Sequence, residues 1–398
     1  MNKRKGIIFA KGPYPLGGPS RRVRNLNRGF IKNKIESKIV ITHPAPTYEN
    51  YKNSENFVHF CLKPTNKKNN IFILHLKKFI GYYRGYLYLK KNKDINFVLL
   101  FGLGFTEGFF VKVFCKKNSV KFFAEYTDEI NKKYWEDKLT IYEHFAKYNF
   151  IFFDKYILKK VDVLFVVSSY LAKKFSNMNL KIVNSIPSLI DFDDYIAMKS
   201  NNIFEIKDDN IDVFKSSSKK VVYAGDCSFT NGLLFFLECA KTVIKKHKIN
   251  FEIIIIISRG DKRKIINYSD KLSIKENVTF ISSILPKYIP AIYERSDILL
   301  LPEKGEIVGN AGFPGKIAEY LASGKPIIST IFSDLTDYLK HNYNAMLSDI
   351  GDHKTYTENL KKLLLNKELR EHLGKNGIKT AKKYFEYKKG VLPFIKEM

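Results

Sequence analysis

Gly312-Phe313-Pro314-Gly315-Lys316-Ile317-Ala318-Glu319-Tyr320-Leu321-Ala322-Ser323-Gly324-Lys325-Pro326-Ile327-Ile328-Ser329-Thr330 reads as a helix entered through a glycine-proline turn and left through a glycine cap into a strand. Gly312 and Gly315 allow a backbone to come close to a ligand, Pro314 suits a first helical turn, and Lys316 adds a cation where a helix already presents N–H groups and positive dipole. Gly324 is a left-handed cap, and the β-branched pair after Pro326 begins a strand. Glu319 lies three residues beyond Lys316 and so on the same helical face, where a carboxylate can accept two ribose hydroxyls while lysine and amides hold phosphate. The same pair also fits an ordinary lysine-glutamate contact on a solvated face.

Two αβ series extend outward from this stretch. The first opens with a strand at Gly6–Ala10, a glycine-rich loop ending in Gly17 and Gly18, a basic helix over Arg21–Lys32 and a strand at Ser37–Thr42. It continues through apolar segments at Phe97–Phe101, Lys121–Ala124 and Val163–Val167. The second runs through Val221–Gly225, a helix over Leu233–Lys248, and strands at Phe251–Ile257, Val278–Ser282, Ile298–Leu301 and Ile327–Thr330, and a last helical region spans Glu358–Phe385. Strand-sized apolar runs alternating with helices predict parallel sheets covered on both faces. The expected division is an N-terminal domain over 1–195, a polar linker over 196–220, a C-terminal domain over 221–375, and a tail over 376–398 that packs back on the N-terminal domain.

The chain has 398 residues, 45% of them hydrophobic, enough for two domains. No apolar run approaches the roughly 20 residues of a membrane span. The apolar part of the N-terminus is too short for a signal peptide, so the cytoplasm is the expected location. Four cysteines without paired spacing, and histidines in no ligand pattern, indicate neither disulfides nor structural zinc. The net charge of +28 is uneven: residues 1–195 carry 35 basic and 16 acidic residues, net +19, and residues 196–398 carry 33 and 24, net +9. Part of this reflects a composition rich in Lys, Asn and Ile, but the bias favours an anionic surface facing the first half. In Lys77–Lys91, a helical stripe of Phe79, Ile80, Tyr83, Tyr86 and Leu87 is flanked by cations, which suits the inner face of an anionic membrane. The competing reading is a layer helix with that stripe against a sheet, and two glycines weaken it as a free-standing helix.

In their order along the chain these motifs resemble the retaining GT-B glycosyltransferases, specifically the bacterial glycosyl transferases group 1 family. The resemblance rests on Gly17-Gly18, Glu125-Tyr126-Thr127-Asp128, Val161–Leu171 followed by Ile186-Pro187 and Ile190-Asp191, Val222–Gly225, Lys287–Leu301 and, above all, the opening stretch. It implies an α/β fold of two Rossmann-like domains facing each other across a cleft. It further implies metal-independent transfer of a sugar from a nucleotide-sugar donor to a glycan or lipid-linked acceptor, in cell-surface polysaccharide or lipopolysaccharide synthesis. No cofactor is called for. The donor-binding candidates are Gly17, Gly18, Gly225, Arg259, Gly312, Phe313, Lys316 and Glu319, with Asp128 as the catalytic candidate.

The sequence departs from the family's pattern in three places. Asp226 and Asn231 stand where many members have Arg and Lys, so Arg259, Lys262 or Arg263 is expected to neutralise the diphosphate. Ala311 occupies the position of a sugar-reading glutamate, with Glu303 or Glu306 as nearby carboxylates, and Thr127 replaces a common histidine. Ile284 or Leu285 is the expected neighbour of the base. These departures leave open a catalytically silent member that binds nucleotide or glycan. Asp191-Phe192-Asp193 has the Asp-x-Asp form of metal-binding glycosyltransferases but follows a proline turn. A nucleic-acid-binding protein is disfavoured because the charge is spread over helices without a recognition motif, and a dinucleotide oxidoreductase because no Gly-x-Gly-x-x-Gly follows a strand.

Overall fold

The computed structural model describes residues 4–10, 18–42, 56–60, 71–102, 104–127, 141–226, 231–260, 262–282, 284–303 and 311–398. These form two compact units: Met1–Leu189 with Ala311–Phe313 and Tyr387–Met398, and Ile190–Asn310 with Pro314–Glu386.

The first unit is built on a seven-stranded parallel sheet: β1 (Lys5–Ala10), β2 (Glu36–Ile41), β3 (Phe57–His59), β4 (Phe97–Phe101), β5 (Lys121–Tyr126), β6 (Val163–Val166) and β7 (Lys181–Asn184), in the order β3-β2-β1-β4-β5-β6-β7. Its helices are α1 (Gly18–Lys32), α2 (Ile71–Lys91), α3 (Phe105–Asn118), α4 (Ile141–Phe152), which runs on into a π-turn at Phe153–Ile157, and α5 (Ser169–Phe175). Strand side chains alternate between two cores, so the strands read as nearly unbroken apolar runs. Ile7, Phe9, Val98 and Leu100 join one core, and Ile8, Ala10, Phe97 and Leu99 the other. In the second core the rings of Phe30, Phe97, Phe123, Phe165 and Phe394 touch in succession, the last three contacts at 5.6, 5.6 and 4.0 Å between centroids. Gly6 makes room for this chain, since a Cβ there would stand 2.1 Å from the Phe97 ring.

Helix α2 settles which way its aromatic stripe points. Gly81 and Gly85, four residues apart and therefore on one face, meet Thr42 and Phe9, and a Cβ on Gly81 would come within 2.1 Å of the Thr42 carbonyl oxygen. The glycines and the buried Tyr82 and Leu89 face the sheet, and Phe79, Tyr83 and Leu87 are exposed on the other side. What weakens the helix in isolation is its means of close packing here.

The second unit has a six-stranded parallel sheet: β8 (Lys220–Asp226), β9 (Glu252–Arg259), β10 (Val278–Ser282), β11 (Ile298–Leu301), β12 (Ile327–Thr330) and β13 (Ala345–Ser348), in the order β10-β9-β8-β11-β12-β13. Its helices are α6 (Phe192–Lys199), α7 (Asn231–Lys241), α8 (Arg263–Lys271), α9 (Ile289–Glu294), α10 (Ile317–Ser323), α11 (Leu335–Tyr338), α12 (His353–Leu365) and α13 (Lys367–Tyr384). Asn366 separates the last two: its side chain accepts from Leu369 N at 2.8 Å and caps α13, so the single helical region expected over Glu358–Phe385 is two helices. The segment after α6 folds into two 3-10 turns with Ile203, Ile211 and Phe214 buried. The tail Tyr387–Met398 lies in the first unit, with Val391 and Phe394 in its second core.

Candidate functional site

Strand order in the second sheet reverses between β8 and β11, and such a switch point opens a crevice beyond the carboxyl ends of the strands. Here β8 pairs with β11 only at Val221 and Val222, while its pairing with β9 continues to the strand's end. Past Val222, α10 fills the gap between the parted strands. Tyr320 Oη accepts from Ala224 N at 3.3 Å, and Lys316 Nζ donates to Ala224 O at 2.9 Å, so both polar groups of that residue's backbone are met by side chains. Tyr320 is fully buried, with its ring edge-on to Tyr293 at 5.1 Å. Burial pushes its hydroxyl pKa far up, and the neighbouring Glu319 charge adds to the shift.

Lys316 also lies over the Tyr223 ring, 4.1 Å from its centroid. Gly225 makes this position available: a Cβ there would stand 2.8 Å from both Lys316 Nζ and Tyr223 Oη. Three sequence-predicted residues are therefore gathered at one strand end, with Gly225 and Lys316 against each other and Glu319, half-buried, one turn further along α10. The helix is shorter than the sequence reading expected. It begins at Ile317, with Lys316 at the cap position and Gly324 closing it at φ 76°. Gly315 precedes it in the open, with nothing within 4 Å of its Cβ position.

The neighbouring strand ends are locked. Thr330 Oγ1 accepts from Glu303 N at 2.9 Å and donates to Glu303 O at 2.8 Å, fixing the backbone just beyond β11. Gly232 brings the start of α7 against the Pro302 carbonyl, where a Cβ would stand only 2.1 Å from the oxygen. Arg259 ends β9 opposite Asp226, followed by Gly260 at φ 93°; the side chain of Arg259 lies outside the described residues, as does Glu306. Lys262 caps α8 with Nζ 5.8 Å from the Phe280 ring, and Arg263 is that helix's first residue. Leu285 is exposed and Ile284 half-buried at the turn after β10.

Other candidates belong to the first unit. Gly312 and Phe313 group there, next to Ala311, whose carbonyl accepts from Ser168 Oγ at 2.7 Å. Gly18 is the first residue of α1, while Gly17 and Asp128 lie outside the described residues. At the end of β5 the sequence reading missed an interaction. Arg22 and Glu125, both buried, form a bidentate pair: Nε donates to Oε2 at 3.0 Å and Nη2 to Oε1. Arg22 Nη1 also donates to Ile186 O at 2.7 Å, and Ser185 Oγ donates to Glu125 Oε1 at 3.0 Å. A glutamate inside the buried run Phe122–Tyr126 was the available signal, because a buried carboxylate requires a partner.

The fold is GT-B: two parallel-sheet α/β units, each with its own switch point. The chain superposes with a TM-score of 0.71 on sucrose-phosphate synthase from Thermosynechococcus elongatus, at 14% identity over 99% of this chain and 98% of the other. It superposes equally well, at 9% identity over 99% and 100%, on Anabaena HepE in complex with UDP and glucose. Residues 205–380 match the family model described as Glycosyl transferases group 1. Spore coat protein SA of Bacillus subtilis is 26% identical over 178 residues, covering 43% of this chain and 46% of that protein. The chain spans about half the length of the curated relatives it matches.

Proposed function

We propose that the chain is a glycosyltransferase that moves a sugar, with retention of configuration and without a metal ion, from a nucleotide-sugar donor to a glycan acceptor on a lipid carrier destined for the cell surface. The observation that carries this reading is the convergence of Lys316 and Gly225 at the end of β8, with Glu319 on the next turn. As the bond from the anomeric carbon to the diphosphate oxygen breaks, negative charge gathers on the terminal phosphate. A preorganised cation there lowers the barrier. The ammonium of Lys316 donates to the Ala224 carbonyl oxygen and lies over the Tyr223 ring, and a diphosphate is a stronger partner than either. Gly225 lets the ligand approach the backbone, and Glu319 accepts the ribose hydroxyls. The acceptor hydroxyl bonds the anomeric carbon from the face the diphosphate leaves, and its proton passes to the departing diphosphate oxygen; Asp128 is the residue proposed to polarise the hydroxyl. Anabaena HepE, with its bound UDP and glucose, supplies an analogy for the donor class.

Thermal-shift screening against UDP, GDP and other nucleotides and their sugars tests the donor. One nucleotide should stabilise the protein, Lys316→Met and Glu319→Ala should each abolish that shift, and transfer should fall by orders of magnitude while the unliganded melting temperature stays close to wild type. Unchanged donor affinity and turnover in Glu319→Ala would make the carboxylate merely structural. An absolute requirement for manganese would overturn the metal-independent mechanism.

A further inference from the structure

Among the described residues, twelve of the twenty exposed large apolar side chains come from α2, α3, α4 and the π-turn that follows α4. Exposed apolar residues scattered singly are ordinary, but these are contiguous. Phe79, Tyr83 and Tyr86 pack on Phe110, which touches Phe109 at 6.1 Å. Phe105 links Phe109 to Phe152 at 6.2 and 5.9 Å. Tyr148 lies against Phe152, and His75 on Phe145 at 5.0 Å joins α2 directly to α4. The result is one aromatic surface across three helices, with the tips of Phe79, Phe109, Phe145 and Tyr148 between 46% and 56% exposed.

Its charge selects among occupants. Residues 71–91, 105–118 and 141–160 hold twelve Lys or Arg and three acidic residues. Of the three, Glu107 is buried and Asp154 half-buried. A second copy docked face to face would set cation against cation, and protein interfaces are depleted in lysine at their centres. A surface of anionic head groups over acyl chains satisfies both components: rings enter the head-group boundary and lysines reach the phosphates. Helix α2 has the length to span a bilayer, but Lys77, Lys78 and Arg84 divide its apolar run, and no described helix is long and apolar enough to cross. We propose that the outer face of α2, α3 and α4 is a docking surface for an anionic lipid bilayer, on which the first unit lies without crossing it.

Flotation of the full chain with vesicles tests this. Wild-type protein should float with vesicles of phosphatidylcholine and phosphatidylglycerol, less with phosphatidylcholine alone, and less again as salt rises. Phe79→Ser combined with Phe109→Ser and Tyr148→Ser should reduce partition about tenfold or more, and Lys116→Gln with Lys117→Gln about fivefold per cation. The second variant alters exposed side chains only and carries the test if the first does not fold. The nucleotide-induced thermal shift, which reports on the donor site separately, should be unchanged in both. The proposal is overturned if wild-type protein fails to float with anionic vesicles, or if the variants partition like wild type. It is equally overturned if the surface instead holds a dimer that the aromatic substitutions dissolve without any effect of lipid.

Discussion

At the carboxyl ends of the first sheet's strands the cation is Arg22, buried and committed to Glu125, Ser185 and the Ile186 carbonyl. At the corresponding end of the second sheet it is Lys316, half-buried, donating to the Ala224 carbonyl and lying over the Tyr223 ring. Both cations sit near the start of a helix that follows a glycine-rich stretch, so local sequence does not distinguish them. What differs is the partner. A carboxylate at the end of β5 converts one cation into internal structure, whereas at the end of β8 a backbone carbonyl and a ring face meet the other. The first unit's charge excess is instead spread over outer helices, which is why a net +19 in the first half does not by itself locate a phosphate site.

The sharpest way to break this contrast is to remove one charge from each site. Arg22→Met leaves a buried carboxylate unpaired and should cost about 3–5 kcal/mol of unfolding free energy in a denaturant titration. Adding Glu125→Leu should restore much of the loss, since an ion pair replaced by apolar groups is often near neutral. Lys316→Met, by contrast, takes a donor from the Ala224 carbonyl and should cost about 1 kcal/mol while abolishing nucleotide binding. Comparable losses at the two sites would mean that Lys316 is as structural as Arg22.

The same contrast marks what the sequence discloses. Ten strands are legible in the sequence, nine of them central, where both faces of a parallel strand are buried. The three that are not, β3, β7 and β13, are all edge strands of three or four residues, and Lys181–Asn184 shows the reason in its half-exposed burial. For β7, edge position removes one neighbour and with it the need for an unbroken apolar run, whereas β13 is buried throughout and is hidden by its length of four residues. Within the site, Lys316, Glu319 and Gly225 are legible because the helix spacing and the strand-end glycine are local. The Arg22–Glu125 pair joins residues 103 positions apart, and no period or motif connects them. Which side of α2 meets the sheet was likewise open, since its glycines and its aromatic stripe alternate in sequence and only packing decides between them.

Glycine packing is a feature the two units share, and it gives a smaller and more even test. A Cβ on Gly81 would stand 2.1 Å from the Thr42 carbonyl oxygen, and one on Gly374, in α13, 1.8 Å from the carbonyl oxygen of Gly324 at the end of α10. Neither obstacle is a flexible side chain that could swing away. Gly81→Ala and Gly374→Ala should each destabilise by about 1–3 kcal/mol through helix displacement, read as a fall in denaturation midpoint. A neutral Gly81→Ala would remove the argument that α2 presents its glycine face to the sheet, and with it the outward orientation of Phe79 and Tyr83.

The smallest effect concerns Asp191-Phe192-Asp193, whose form allows either a metal ligand pair or a helix start. Asp191 is the N-cap of α6: its carboxylate accepts from Asp193 N at 3.2 Å and Asp194 N at 3.3 Å, and Asp193 and Asp194 lie in the first turn, where negative charge complements the helix dipole. A capping role predicts unequal consequences. Asp191→Ala should cost about 1 kcal/mol and Asp191→Asn much less, because the amide oxygen can accept the same bonds, while the dipole contribution lost in Asp193→Ala is roughly 0.3–1 kcal/mol. A metal-binding role predicts the reverse for asparagine, whose neutral oxygen is a poor substitute for a carboxylate. Turnover of Asp191→Asn near wild type, with a melting temperature to match, would therefore assign the tripeptide to the start of α6, and a collapse of turnover without any change in stability would return it to chemistry.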